Sequence, residues 1–206
     1  MRILSIDTCL AACSVAVLDG ERVLAAISEP MVRGHQERLA SMAREAMAEA
    51  GLRFGDLERI GVTVGPGSFT GLRVGLAFAK GLSSALARPA VGVGSLEALA
   101  GERPGFVVAA VDARREQVYV QAFDSGRPLM EPAALRADDA IAQIRRLGEP
   151  STVVGSGAPL LAEAFPSARL APAAVPDPVV VARIAARTET PAKPLYLRAP
   201  DAVLPA

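Results

Sequence analysis

The sequence predicts an α/β protein built from two successive units of similar organisation, on three observations. Residues 1–100 contain, in order, three strand-like runs, a helix-like run, a strand, a helix and a strand. The stretch Gly-Glu-Arg-Pro-Gly at 101–105 then has the composition of a boundary. After it, paired strand-like runs begin again, which indicates a degenerate internal duplication without a residue-level repeat. We therefore predict an N-terminal lobe over 1–102 and a shorter C-terminal lobe over 103–206.

In the first lobe, the runs "RILSIDT" and "CSVAVLDG" predict a hairpin, and Asp19-Gly20 predicts a tight turn into a third strand, "ERVLAAIS". Apolar residues at helical spacing then predict a helix ending near Gly51. In the second lobe, "FVVAAVDA" and "EQVYVQAFD" predict paired strands. The remaining predictions there are helices over 138–147, 158–165 and 179–186, a strand at 151–157, an extended stretch at 171–178 and a closing segment, "PLYLRAP".

Composition limits the possible functions. Of 206 residues, 51% are hydrophobic, which is enough for a core, and 22 basic residues balance 22 acidic ones. A balanced chain lacks the electrostatic signature of independent nucleic-acid binding. Two cysteines and one histidine are too few for a disulfide framework or a Cys/His metal site.

The N-terminus "MRILSIDTCLAAC" has a lipobox-like end, but Asp7 interrupts the apolar run that a secretion signal needs. Strand alternation explains the segment better. No other run is long and uncharged enough to span a membrane. We therefore expect a cytoplasmic protein with no membrane association.

A glycine-rich turn, "GPGSFTGLRVG" at 65–75, joins a predicted strand to a predicted helix over 70–86. Its spacing fits neither a Walker A loop, which requires GxxxxGK[ST], nor the GxGxxG dinucleotide fingerprint. The helix has two apolar faces: Leu72, Leu76, Ala79, Leu82 and Leu86 form one, and Val74, Ala77, Phe78, Gly81 and Ala85 form the other. Such a helix is buried on two sides, either within its own chain or at a subunit interface.

Four segments carry a family resemblance: "ILSIDTCLAACSVAVLDG", "GPGSFTGLRVGLAFAKGL", "VDARREQVYV" and "PLYLRAPD". Together they resemble the TsaB (YeaZ) family, in the TsaD/Kae-like, glycoprotease-like branch of the actin/sugar-kinase/Hsp70 superfamily. The resemblance implies a two-lobe actin-like ATPase fold, related to ribonuclease H, with mixed sheets and a reduced second lobe.

The same resemblance implies a non-catalytic partner of TsaD, which forms N6-threonylcarbamoyladenosine at position 37 of tRNAs that read ANN codons. TsaD would be bound directly, and the ATPase TsaE and tRNA would be reached through the complex. ATP and metal would be used through TsaD and TsaE, with no cofactor on this chain alone. Without TsaD, we expect a weak homodimer.

The expected interface comprises the Met-bearing helix and the start of the two-faced helix, with His35, Leu39, Met42, Ala46, Phe69, Leu72, Gly75, Leu76 and Ala79. Met42 and Met47 suit an adaptable contact surface, or they simply fill the core.

Two alternatives remain open. A small-molecule kinase or ATPase of the superfamily would need phosphate contacts, but the turns at Asp7 and Asp112 lack glycine, and only Gly155 and Gly157 resemble an adenosine-side turn. Asp7 and Asp112 more simply hold turns together. A zinc glycopeptidase would need the His-x-x-x-His pair of TsaD, and the second position here is Leu39. We therefore expect no catalytic residues and no metal on this chain.

Overall fold

The computed structural model describes residues 1–171 and 175–198, and within them the chain forms two mixed β-sheets. The first sheet has the strand order β3-β2-β1-β4-β5. The hairpin strands pair antiparallel, and β1, β4 and β5 run parallel. Its strands are β1 (Arg2–Asp7), β2 (Ala12–Asp19), β3 (Arg22–Pro30), β4 (Arg59–Gly65) and β5 (Ala90–Gly94).

Helices cover both faces of this sheet. On one face lie α1 (His35–Glu49) and α2 (Phe69–Leu86), which share an apolar core with β1, β2 and β4. Ser68 caps α2, because its hydroxyl oxygen accepts a hydrogen bond from the Gly71 N–H at 3.2 Å. After β5, the short helix α3 (Ser95–Ala100) leads toward the second sheet and packs on it.

The second sheet repeats the topology of the first, with the order β11-β10-β6-β7-β8 and β9 also paired to β7. An antiparallel pair is again followed by parallel neighbours, which is the duplication that the sequence predicted. Its elements are β6 (Phe106–Asp112), β7 (Gln117–Asp124), β8 (Arg127–Pro128), β9 (Ala133–Arg136), α4 (Ala137–Leu147), β10 (Thr152–Val154) and β11 (Arg169–Ala171).

The last helix, α5 (Pro178–Arg187), returns to the first sheet and covers the face opposite α1 and α2. The fit is close: a Cβ added at Gly61 of β4 would lie 2.5 Å from the Ala185 Cβ. The Ser5 hydroxyl also donates to the Pro178 carbonyl oxygen at 2.7 Å. The two sheets lie on either side of the predicted boundary at 102/103, but residues 178–196 pack with the N-terminal lobe, because the first sheet needs cover on both faces.

One other expectation is wrong. The helix predicted over 158–165 is instead a pair of 3₁₀ turns, Ala158–Leu160 and Ala162–Ala164. The extended stretch predicted at 171–178 lies partly outside the described residues, as does the end of the segment "PLYLRAPD".

Candidate functional site

Asp7 ends β1 and is fully buried. Its Oδ1 accepts hydrogen bonds from the Cys9 N–H at 3.0 Å and the Thr63 hydroxyl at 2.6 Å. Oδ2 is buried without a hydrogen-bond partner among the described residues. Burial raises the pKa of Asp7, while the bonds from Thr63 and Cys9 act in the opposite direction. A carboxyl group enclosed in this way holds the turn after β1 and is poorly placed to reach a substrate.

The glycine-rich turn packs directly on that turn. Side chains at Gly67 and Gly71 would overlap the carbonyl oxygens of Cys9 and Thr8, respectively. Two hydrogen bonds tie the segments: the Ser68 N–H donates to the Cys9 carbonyl at 2.7 Å, and the Thr8 hydroxyl donates to the Gly71 carbonyl at 2.7 Å. The glycines therefore allow close approach of two stretches of backbone. The N–H groups of Ser68 and Gly71 already have partners in the chain, so these two are not available to bind phosphate.

The second lobe repeats this arrangement of an Asp-anchored turn packed against glycines. Asp112 Oδ1 accepts from the Arg114 N–H at 2.7 Å, as Asp7 does from Cys9, two residues on. Side chains at Gly155 and Gly157 would collide with the backbone of β6. The space beside these two candidate nucleotide contacts is thus filled by the chain itself. Gly157 also donates its N–H to the Ala110 carbonyl at 2.9 Å.

A cleft of about 510 Å³ lies between the two turns. Its lining includes Leu10, Phe69, Asp112, Tyr119, Ser156 and the segment Leu195–Arg198. The Asp112 N–H at its wall donates to Ser156 Oγ at 3.1 Å, so another potential phosphate donor is already used. Cys9 also lines the cleft, but burial raises the pKa of its thiol well above the ordinary value, which disfavours a reactive thiolate.

A metal site would need several ligating side chains close together. Among the described residues, no three His, Cys, Asp or Glu side chains lie close enough together to hold an ion. His35 at the start of α1 is buried, and its Nε2 has no hydrogen-bond partner among the residues that the structure describes. Leu39, one turn later, is packed in the core.

The residues expected at the partner interface are mostly buried inside the chain. All except the half-buried Phe69 are buried: His35, Leu39, Met42, Ala46, Leu72, Gly75, Leu76 and Ala79. Met42 and Met47 belong to the same core cluster, in keeping with the alternative interpretation that they fill it. Side chains buried against the first sheet offer almost no surface to a partner, so an interface on these helices must use their other face.

That other face forms a groove of about 730 Å³ between α1 and α2. It includes four of the five residues of the second apolar face: Val74, Ala77, Phe78 and Gly81. Nothing lies within 4 Å of a Cβ built at Gly81. The sequence pattern predicted this face of α2, but of the residues expected at the interface only Leu39 is among those that line the groove. The groove is lined by Gln36, Leu39, Ala40, Thr70, Arg73, Val74, Ala77, Phe78, Gly81 and Leu82.

Comparisons with known proteins place this geometry in a family. The family model of TsaD, tRNA N6-adenosine threonylcarbamoyltransferase, matches residues 24–178. TsaB of Escherichia coli, described as a tRNA threonylcarbamoyladenosine biosynthesis protein, is 38% identical over 124 residues, which cover 58% of this chain and 53% of the relative. A crystal structure from Pseudomonas aeruginosa, described as similar to the peptidase YeaZ, superposes with a TM-score of 0.80 at 30% identity, covering 96% of this chain and 99% of the other. The chain belongs to the TsaB (YeaZ) family.

Two other comparisons cover nearly the whole chain. A protein of Mycobacterium tuberculosis, itself described as uncharacterized, is 34% identical over 97% of this chain and 93% of its own length. YeaZ from Pseudomonas aeruginosa superposes with a TM-score of 0.77 at 29% identity, covering 95% of this chain and 99% of that one. No helix in residues 1–171 or 175–198 combines the length and apolarity needed to cross a bilayer.

Proposed function

We propose that this TsaB-family chain is a non-catalytic subunit that binds and positions TsaD for the formation of N6-threonylcarbamoyladenosine at position 37 of tRNAs reading ANN codons. The observation that carries the proposal is the apolar groove between α1 and α2. Apolar surface rimmed by polar residues is typical of a protein contact. Here Gln36, Thr70 and Arg73 provide the polar rim.

The non-catalytic assignment rests on the cleft. In actin-like ATPases, phosphate binding depends on backbone N–H groups at the strand ends, but here those of Cys9, Ser68 and Arg114 donate within the chain. Asp7, the acid at the first of these ends, is buried. ATP and metal chemistry would therefore belong to TsaD and TsaE, and tRNA would be reached through the complex.

TsaD suits the groove because it shares the fold. A TsaD protein of Ruegeria is 47% identical to this chain over 70 residues, 34% of this chain. A partner of similar fold can present an equivalent helix pair, and two such pairs pack about a pseudo-twofold axis, as in isologous dimers. The small residues Ala40, Ala77 and Gly81 would let the facing helices approach closely.

A substitution at Gly81 tests the docking surface. Because a Cβ there meets nothing in the chain, Gly81→Leu should fold normally and fill the groove. We expect the affinity for TsaD to fall at least ~10-fold, or about 1.4 kcal/mol. Co-purification and calorimetric titration with TsaD measure the effect.

Gly55→Leu is the matched control, because a Cβ at that exposed glycine also has nothing within 4 Å and the site is remote from the groove in sequence. The control should bind TsaD like the wild-type chain. Wild-type affinity for TsaD in Gly81→Leu would show that the groove is not the docking surface.

The non-catalytic half of the proposal has a separate test. The purified chain with Mg-ATP should release no phosphate above background in a steady-state assay. Turnover near that of ordinary enzymes, about 1 per second or faster, abolished by Asp7→Ala, would overturn it in favour of a kinase or ATPase.

A further inference from the structure

The segment 188–198, here called the strap, runs along the first lobe after α5. The Gly92 N–H of β5 donates to the Thr190 carbonyl oxygen at 2.8 Å, and Pro191 forms a β-bridge with Val91. Further on, the Leu195 N–H donates to the Val64 carbonyl oxygen of β4 at 2.8 Å. The strap is thus anchored to the middle of β5 and to the carboxyl end of the neighbouring parallel strand β4.

The first lobe is shaped to seat the strap. A Cβ built at Gly92 would lie 2.7 Å from the Pro191 carbonyl oxygen, and one at Gly65 would lie 2.9 Å from that of Leu195. Backbone can come this close only where the residue beneath has no side chain. Ala192 between these contacts is buried in the core under α1 and α2. The strap therefore has a defined path along the first lobe.

The end of the strap reaches the second lobe. The Tyr196 ring packs on Phe69 at the start of α2, with ring centroids 5.2 Å apart. Arg198 Nη1 then donates to the Ala113 carbonyl oxygen, in the turn between β6 and β7, at 2.8 Å. Leu195, Tyr196, Leu197 and Arg198 all line the interlobe cleft. The strap spans this cleft from one lobe to the other.

This contact adds a third link between the lobes. The other two links are the covalent crossings: the chain enters the second sheet after α3, which packs on that sheet, and it returns to the first lobe as α5. Segments at such crossings can act as a hinge. We propose that the strap is a latch: by joining Phe69 on one side of the cleft to Ala113 on the other, it holds the lobes at one angle. The inference does not depend on TsaD binding.

Single-molecule fluorescence energy transfer across the cleft tests the latch. Ser84 in α2 and Ser167 before β11 are exposed and can be changed to cysteine for labelling, while both native cysteines are buried. At the dilution of such an experiment, self-association does not contribute. The wild-type strap should give one narrow transfer distribution. Tyr196→Ala combined with Arg198→Ala should broaden it or add a population of different efficiency.

Lys193→Ala is the control, since Lys193 lies in the same strap, is exposed, and its side chain takes part in neither the Phe69 nor the Ala113 contact. It should reproduce the wild-type distribution. Circular dichroism melting shows whether each variant is folded, and the single change Arg198→Ala replaces the double variant if the latter is not. A folded variant without the Ala113 contact that keeps the wild-type distribution would overturn the latch.

Discussion

At the scale of single residues, Asp7 shows how a carboxylate typical of an ATPase becomes a structural group. One oxygen is hydrogen-bonded to Thr63 and Cys9, and the other is buried without a partner among the described residues. Burial raises the pKa of Asp7 above its ordinary 3.8 in spite of these bonds and of the charge interaction with His35, which lowers it. In the folded chain the carboxyl therefore holds its proton to higher pH than in the unfolded chain. Its contribution to stability is lost as pH rises through the folded-state pKa.

Asp7→Asn should remove this titration, because an amide oxygen can accept the same two hydrogen bonds and carries no charge. As pH rises from about 4 toward neutrality, the free energy of unfolding of the wild-type chain should therefore fall relative to that of the variant. Urea unfolding of both proteins at several pH values measures the difference. Parallel stability curves over this range would contradict a raised pKa at Asp7.

Gly75 is a residue that the sequence analysis expected at the partner interface. A Cβ there would lie 2.5 Å from Thr8 Oγ1 and 3.5 Å from Val62 Cγ2, so the position faces the chain's own core. Gly75→Leu should destabilise the fold by ~1–3 kcal/mol through overpacking. The gain in helix propensity, at most about 1 kcal/mol, offsets only part of this. Chemical unfolding measures the loss, and a variant as stable as wild type would place Gly75 back at the surface.

At the scale of elements, the sequence determined the type of each long element better than the side on which it lies. The hairpin, β4, α2 and the second pair of strands follow from period and turn residues alone. The two apolar faces of α2 were also visible. The sequence pattern does not show which of these faces meets the sheet. That depends on the glycines at 67, 71 and 75, whose four-residue spacing aligns them toward the turn after β1.

The C-terminal elements were harder to predict for a related reason. α5 has its own apolar face, and nothing local shows that this face packs on the first sheet beside Gly61. The stretch 158–165 has helical composition, yet it forms two short 3₁₀ turns, the first of which packs against β6 and β11. Long-range packing determines both the position of α5 and the structure of 158–165, and the local periodicity of the sequence does not predict such packing.

At the scale of the whole molecule, the fold leaves an apolar groove exposed between α1 and α2, while the cleft is crossed by the chain itself. Without TsaD, a second copy can cover this groove about a twofold axis, since each copy presents the same surface to the other. Sedimentation of the isolated chain should therefore show a concentration-dependent dimer, which TsaD competes away. Gly81→Leu should raise the dimer dissociation constant at least ~10-fold, and Gly55→Leu should leave it unchanged.

The competition distinguishes this dimer from one formed elsewhere on the surface. If two copies and TsaD use the same groove, adding TsaD must convert the homodimer into a heterodimer without a ternary species, because one groove cannot hold two partners. A strict monomer at high concentration would show that the groove does not pair with itself. A dimer that binds TsaD while staying intact would show that self-association uses another face, and the role of Gly81 would then be restricted to TsaD.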